Sequence, residues 1–181
     1  MTEFTPMLQI AVPQLGDPNF FHSVVLILQH NAEGALGLIL NNPLELNLGD
    51  FARQQTWPCH QALETRPVFC GGPVDPERGW ILHRNAAVAE RQELLPGLYV
   101  SGTRETLMEL LKSGEDNFRF FLGYAGWGSG QLEKEMKEGS WITATVEAKY
   151  VLDTDPAATW NAVLKDMGVD PNRLALGGGF H

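Results

Sequence analysis

The residues able to do chemistry are scattered along this chain rather than gathered in one motif. His22 and His30 stand on either side of the apolar run 24–28. If that run is extended at ~3.3 Å per residue, the two imidazoles lie roughly 26 Å apart, too far to share a metal ion. His83 follows Trp80-Ile81-Leu82, and His60 sits in a polar stretch. Neither a His-x-x-x-His pair nor an acidic cluster at ligand spacing accompanies them. The expectation is no metal and no cofactor, with strand-end histidines hydrogen-bonded to backbone.

Nucleophiles fare little better. Gly128-Ser129-Gly130 resembles a nucleophile elbow only superficially, because Trp127 and Gln131 occupy the places where Gly-x-Ser-x-Gly requires glycine. Cys70, beside Gly71-Gly72, becomes a reactive thiol only if backbone amides or Arg66 stabilise its thiolate. Burial after Val68-Phe69 predicts an inert one. Cys59 and Cys70 lack C-x-x-C spacing, so neither a disulfide framework nor a zinc site is signalled, and a reducing compartment is expected.

The stretch 123–135, with glycines at 123, 126, 128 and 130 around Trp127, is the hardest to explain as ordinary filling. It predicts a tight turn on a backbone free to take positive φ, followed by a short helix capped at Gly130, with Glu133 reaching back to the cap and Leu132 and Met136 facing inward. Such amides can cradle a phosphate. Here no Gly-Lys-Ser/Thr follows, and Glu133 and Glu135 oppose an anion. Packing of Trp127 against a sheet, with the glycines permitting close approach, is the plainer reading.

These residues need a scaffold. Leu8, Ile10 and Val12 alternate as a half-buried strand, and a loop is expected at 16–19. The runs 24–28 and 36–40 read as central strands joined by a turn at 31–34. Leu48, Phe51 and Ala52 fit a short helix, and 54–65 reads as a loop. Segments 68–70 and 80–83 read as strands joined by a turn at 75–79, with another strand at 98–100. Thr103 can cap a helix carrying Leu107, Leu110 and Leu111 and ending at Gly114. Ile142, Ala144, Val146 and Ala148 alternate as a strand. Asp155-Pro156 begins a helix that carries Trp160, Val163, Leu164 and Met167 inward to Gly168, and the tail from Asp170 reads as loose. The fold class expected is α+β: one domain over 1–181 with short flexible ends at about 1–6 and 176–181, built on a mixed, largely antiparallel sheet free to curl toward a barrel and flanked by helices.

Composition bounds the function. With 44% hydrophobic and 19% charged residues, 181 residues suit one soluble domain. Thirteen basic against twenty-two acidic side chains give a net charge of −9, which repels a phosphate backbone, and no basic cluster offsets it. Direct nucleic-acid binding is therefore disfavoured. No segment reads as a signal peptide or membrane span, so a cytoplasmic protein is expected.

Three stretches read together carry a resemblance: Pro13-Gln14-Leu15-Gly16-Asp17-Pro18-Asn19-Phe20 on through Ser23-Val24-Val25 to His30, Gly34-Ala35-Leu36-Gly37-Leu38-Ile39-Leu40-Asn41-Asn42-Pro43, and Gly71-Gly72-Pro73-Val74 with Arg78-Gly79 and Leu82-His83. With 123–135 and Trp141, the chain resembles the bacterial AlgH/YqgE family from about Leu8 to the terminal helix. The resemblance implies a cytoplasmic α+β domain and, since one member has been called a transcriptional regulator, a regulatory role. It supplies no catalytic residues. The chain departs from the family at Asn41-Asn42-Pro43, where a basic residue is common in the middle, and at its Gly179-Phe180-His181 end.

The reading that follows is a non-catalytic regulatory or interaction domain, with a groove for a protein or small molecule built from Asn41, Gly71, Gly72, Gly126, Trp127, Gly128 and Gln131. The rival is a small-metabolite enzyme using His30 or His83 as general base and the glycine amides as an oxyanion site. It requires those groups to converge.

Overall fold

The computed structural model describes residues 6–13 and 22–175. The apolar run at 24–28 becomes β2 (Val24–Asn31), lying between β1 (Met7–Ala11) and β3 (Gly34–Ile39), both antiparallel to it. Asn31 Oδ1 accepts from the Glu33 N–H at 2.8 Å and tightens the hairpin turn. Next come β4 (Pro43–Asn47) and α1 (Leu48–Gln55), capped by the Asn47 side chain on the Asp50 N–H. The chain continues through β5 (Pro67–Cys70), β6 (Val74–His83), β7 (Gln92–Leu95) and β8 (Leu98–Ser101) to α2 (Arg104–Ser113), and then to β9 (Phe118–Gly128) and α3 (Gln131–Lys137). It closes with β10 (Trp141–Ala144), a π-helical turn (Lys149–Asp153), α4 (Pro156–Asp166) and α5 (Pro171–Ala175).

The strands form one curled, half-barrel sheet in the order β10-β1-β2-β3-β9-β6-β8-β7. It is antiparallel except where β5 runs parallel to β9, with β4 added to β5. The expected α+β class with a mixed, largely antiparallel sheet is what the chain adopts. Leu8, Leu26, Leu38, Leu82 and Phe121 fill one face, closed by Tyr150, Val151, Trp160, Val163 and Leu164 from the π-helical turn and α4. On the other face α1 and α2 cover Ile81, Phe118 and Phe120, while α3 covers Val25, Ile27, Ile39 and Trp127. Each buried aliphatic or aromatic side chain contributes about 1.5–3 kcal/mol by leaving water, so these three clusters hold the curled sheet shut.

Local signals were obeyed where they were strong. Thr103 Oγ1 caps α2 at the Thr106 N–H, and Gly114 ends the helix in the left-handed region at φ 72°. Asp155 caps α4 with Pro156 in its first turn. Four readings need correction. The strand expected through Ala148 stops at Ala144, and the chain turns into the π-helical segment that covers the sheet. The turn expected at 75–79 is a bulge within β6: Val74 pairs Tyr124 and Gly79 pairs Leu122, so four residues oppose Gly123 alone. Met167 is 40% exposed, because α4 ends before it can turn inward. The tail read as loose carries α5, begun by Asp170 Oδ1 accepting from the Asn172 N–H at 2.9 Å. The loop at 16–19 and the flexible ends lie outside the described residues, except Pro6. Among the described residues no helix is long and apolar enough to cross a membrane.

Candidate functional site

The glycine-rich stretch is mostly strand. Residues 123–128 form the second half of β9, and the turn expected there is confined to Ser129 and Gly130. The cause is tertiary: Gly34, Ala35, Leu36 and Gly37 of β3 pair with Gly128, Trp127, Gly126 and Ala125, which holds this backbone extended rather than curled around an anion. α3 then starts at Gly130 as expected, with Leu132 buried.

A short network locks this corner. Gln131 Oε1 accepts from the Gly128 N–H at 2.9 Å, and Gln131 Nε2 donates to Glu135 Oε2 at 3.0 Å. Glu135 Oε1 accepts from both indoles, Trp127 Nε1 at 3.3 Å and Trp141 Nε1 at 3.0 Å. The conspicuous polar residues of the stretch are thus occupied in joining β9, α3 and β10. Glu133 does not return to the cap. It pairs with His30 Nε2 across from β2, and that hydrogen bond holds the Glu133 carboxyl below its usual range.

The two faces of β9 differ. Ala125 and Trp127 point into the cluster beneath α3, and His30, opposite Ala35, is on the same side. Gly126 and Gly128 lie on the other face, at the end of the half-barrel. There a shallow cleft of about 380 Å³ is lined by Gln29, Asn31, Leu36, Val74, Tyr124 and the bare backbone at Gly126, among others. Val74 is 36% exposed. The glycines around it are of two kinds. A Cβ on Gly34, Gly71, Gly72 or Gly123 would overlap neighbouring backbone, so glycine is required there by close packing. A Cβ on Gly126 would meet nothing nearer than 3.7 Å, and on Gly128 nothing nearer than 3.8 Å, and neither has a positive φ. Nothing inside the fold demands glycine at these two positions.

The seven residues read from the sequence as a groove therefore separate. Gly126 and Trp127 line the cleft, and Gly128 and Gln131 are hydrogen-bonded beside it. Gly71 and Gly72 pack against the backbone of Gly123, Tyr124 and Ala125, bringing β5 against β9. Asn41 lies past the far end of β3, where its Oδ1 accepts from the Val24 N–H at 3.0 Å and its Nδ2 donates to the His22 carbonyl at 2.9 Å. It is a brace between strands. Gln29, Asn31, Leu36, Val74 and Tyr124 were missed, because only the pairing of β3 with β9 and the bulge in β6 bring them together.

The histidines do not converge. His83 is fully buried, with Nε2 on Ser101 Oγ at 2.8 Å and Nδ1 accepting from the Asn85 N–H at 3.1 Å. Burial lowers its pKa, and the Arg91 guanidinium lowers it further. It pairs with Phe118, so most of β9 separates it from Trp127. His30 is near the glycines but on the face opposite the cleft. His22 stacks on Trp160, ring centroids 4.0 Å apart. Ser129 Oγ donates to the Ala32 carbonyl at 2.7 Å. The half-buried Cys70 thiol donates to the Gly72 carbonyl at 3.5 Å, while Arg66 is paired with Asp116.

The AlgH-like family model matches residues 8–172. A UPF0301 protein of Myxococcus xanthus is 43% identical over 181 residues, covering 100% of both chains, and one of Methylococcus capsulatus is 42% identical over 168 residues, covering 91% of this chain and 89% of the relative. The solution structure of the AlgH protein from Pseudomonas aeruginosa superposes with a TM-score of 0.77 at 28% identity, covering 100% of each chain. A crystal structure from Corynebacterium diphtheriae, at 22% identity and a TM-score of 0.73 over 99% of this chain and 94% of its own, shares the fold. Matched from the first sheet strand into the last helix, the chain belongs to the AlgH-like family.

Proposed function

We propose that the protein is a non-catalytic binding domain of the cytoplasm that takes a protein partner against the bare backbone of β9 at Gly126 and Gly128. The carrying observation is that these two strand glycines have room for a side chain and no conformational need to lack one. A glycine in a strand costs about 0.5–1 kcal/mol relative to alanine, and one that no internal contact requires marks a surface where something else approaches closely. Leu36, Val74 and Tyr124 offer apolar flanks, and Gln29 and Asn31 offer hydrogen bonds at the rim. A short apolar segment of a partner laid across the sheet face suits that shape.

Regulation, on this reading, works through protein contact. A net charge of −9 disfavours DNA as the direct target. The separation of His83 from the glycines, and the placement of His30 on the opposite face of β9, favour binding over catalysis.

An amide-shift NMR titration of the intact protein against pooled short apolar peptides, with a pooled metabolite set run alongside, tests the proposal. Saturable shifts are expected at Leu36, Val74, Tyr124, Gly126 and Gly128 with peptides. Saturable peptide shifts mapping elsewhere, or none with the spectrum intact, would contradict it.

A further inference from the structure

A second cleft, on the opposite face of the sheet from Gly126, has the features of a small-molecule site. It measures about 560 Å³ and lies between α1 and α2. Its floor is apolar: Phe51, Ile81, Leu107, Phe120 and Leu122. Ile81, Leu107 and Phe120 are 1–3% exposed, and the Phe51 ring packs 5.0 Å from Phe120 and 6.1 Å from Trp57. Pockets of this size with an apolar floor and a few polar groups at the rim are the usual form of a ligand site.

The rim carries one cation and one anion. Arg104 holds its guanidinium 5.4 Å from the Trp57 ring, and Glu77 projects from the bulge in β6. Among the described residues neither forms an ion pair with the other or with a third group. Gly102 stands between them in sequence and also lines the cleft; a Cβ there would meet nothing nearer than 3.8 Å, so its bareness keeps the mouth open without serving the fold. Gly79 differs, since a Cβ would press on the Phe120 ring.

Two unpaired opposite charges above one apolar floor define the complementary ligand. We propose that this cleft binds a free α-amino acid with an aromatic or branched apolar side chain, its carboxylate on Arg104, its ammonium on Glu77 and its side chain on the partly exposed Phe51 and Leu122. A lone anion would face Glu77 and a lone cation would face Arg104. Only a zwitterion satisfies both. The site goes beyond the partner surface on β9, and it fails or stands independently of that surface because the affected amides differ.

The test is an amide-shift titration of the full chain with L-phenylalanine and L-leucine up to about 10 mM, a range suited to contacts with exposed charges. Three controls each lack one feature: 3-phenylpropionate the ammonium, phenethylamine the carboxylate, and glycine the apolar side chain. Saturable shifts at Gly79, Gly102, Thr103, Arg104 and Leu107 are expected with both amino acids, with each control at least about fivefold weaker. Arg104→Gln and Glu77→Gln, both at exposed positions, should each weaken binding about fivefold while leaving the rest of the spectrum in place. The proposal is overturned by an absence of saturable shifts on the folded protein, by 3-phenylpropionate or phenethylamine binding as well as phenylalanine, or by either variant binding like the parent.

Discussion

Trp127 and Trp141 meet edge to face, their ring centroids 5.9 Å apart, and both indole N–H groups donate to Glu135 Oε1. One carboxylate on α3 thereby ties the last strand of the sheet to its most central one. Glu135→Ala removes that shared acceptor together with the partner of Gln131. Hydrogen bonds to a charged group are worth about 1.5–3 kcal/mol each, and these act as a unit, so a loss of roughly 3 kcal/mol is expected. Denaturant unfolding measures it, and a red shift of indole emission in the folded state is expected beside it. Glu135→Gln should recover part of the loss.

The glycines give a paired prediction. Gly126→Ala fits the observed backbone and should stabilise the protein by about 0.5 kcal/mol. Gly72→Ala places a methyl into the backbone of Tyr124 at φ 155° and should destabilise by at least about 3 kcal/mol, or prevent folding. Equal effects would mean that the two classes of glycine are not distinct.

This distinction also marks how far the sequence could be read. Thr103 and Gly114 bound α2 by local chemistry, and the apolar run of β2 needs no partner to be recognised. The stretch 123–128 reads as a turn because glycine is locally a turn residue, whereas its extended form comes from pairing with β3 on one side and β6 on the other. β4 and β7 carried no signal, since each is short and half polar and is held by its neighbour strand. Asp170-Pro171 repeats the helix-start signature of Asp155-Pro156, a signal for α5 that the reading of a loose tail passes over. In the candidate site, Trp127 and Gly126 were legible as unusual. Val74 and Tyr124 were not, because their juxtaposition depends on a bulge.

Asn41 braces β2 through the Val24 N–H and the His22 carbonyl, and Val24 is wholly buried. Asn41→Ala should cost about 2 kcal/mol, the size expected when a buried amide loses its acceptor. Amide exchange should quicken at Val24 before it does in α2.

His83 predicts a pH dependence. Its folded pKa lies below its ordinary 6.5 because burial and Arg91 disfavour the imidazolium. The unfolded chain therefore binds the proton first as pH falls. The stability held above pH 6.5 is lost as pH drops from there through the folded value, by up to about 1.4 kcal/mol per pH unit. His83→Gln should be less stable at pH 7.5 and should flatten the profile between pH 6.5 and 5. A profile just as steep in the variant would assign the dependence to other groups.

If the face of β9 at Gly126 is kept bare for a protein partner, filling it should abolish capture. The comparison is between the parent and Gly126→Leu, whose Cβ leaves from an unstrained position into the cleft, by quantitative capture from extracts of the source cells after denaturant unfolding has established equal stability. Proteins retained by the parent and lost several-fold with the variant are the predicted result. The same proteins captured equally by both would show that Gly126 does not face a partner.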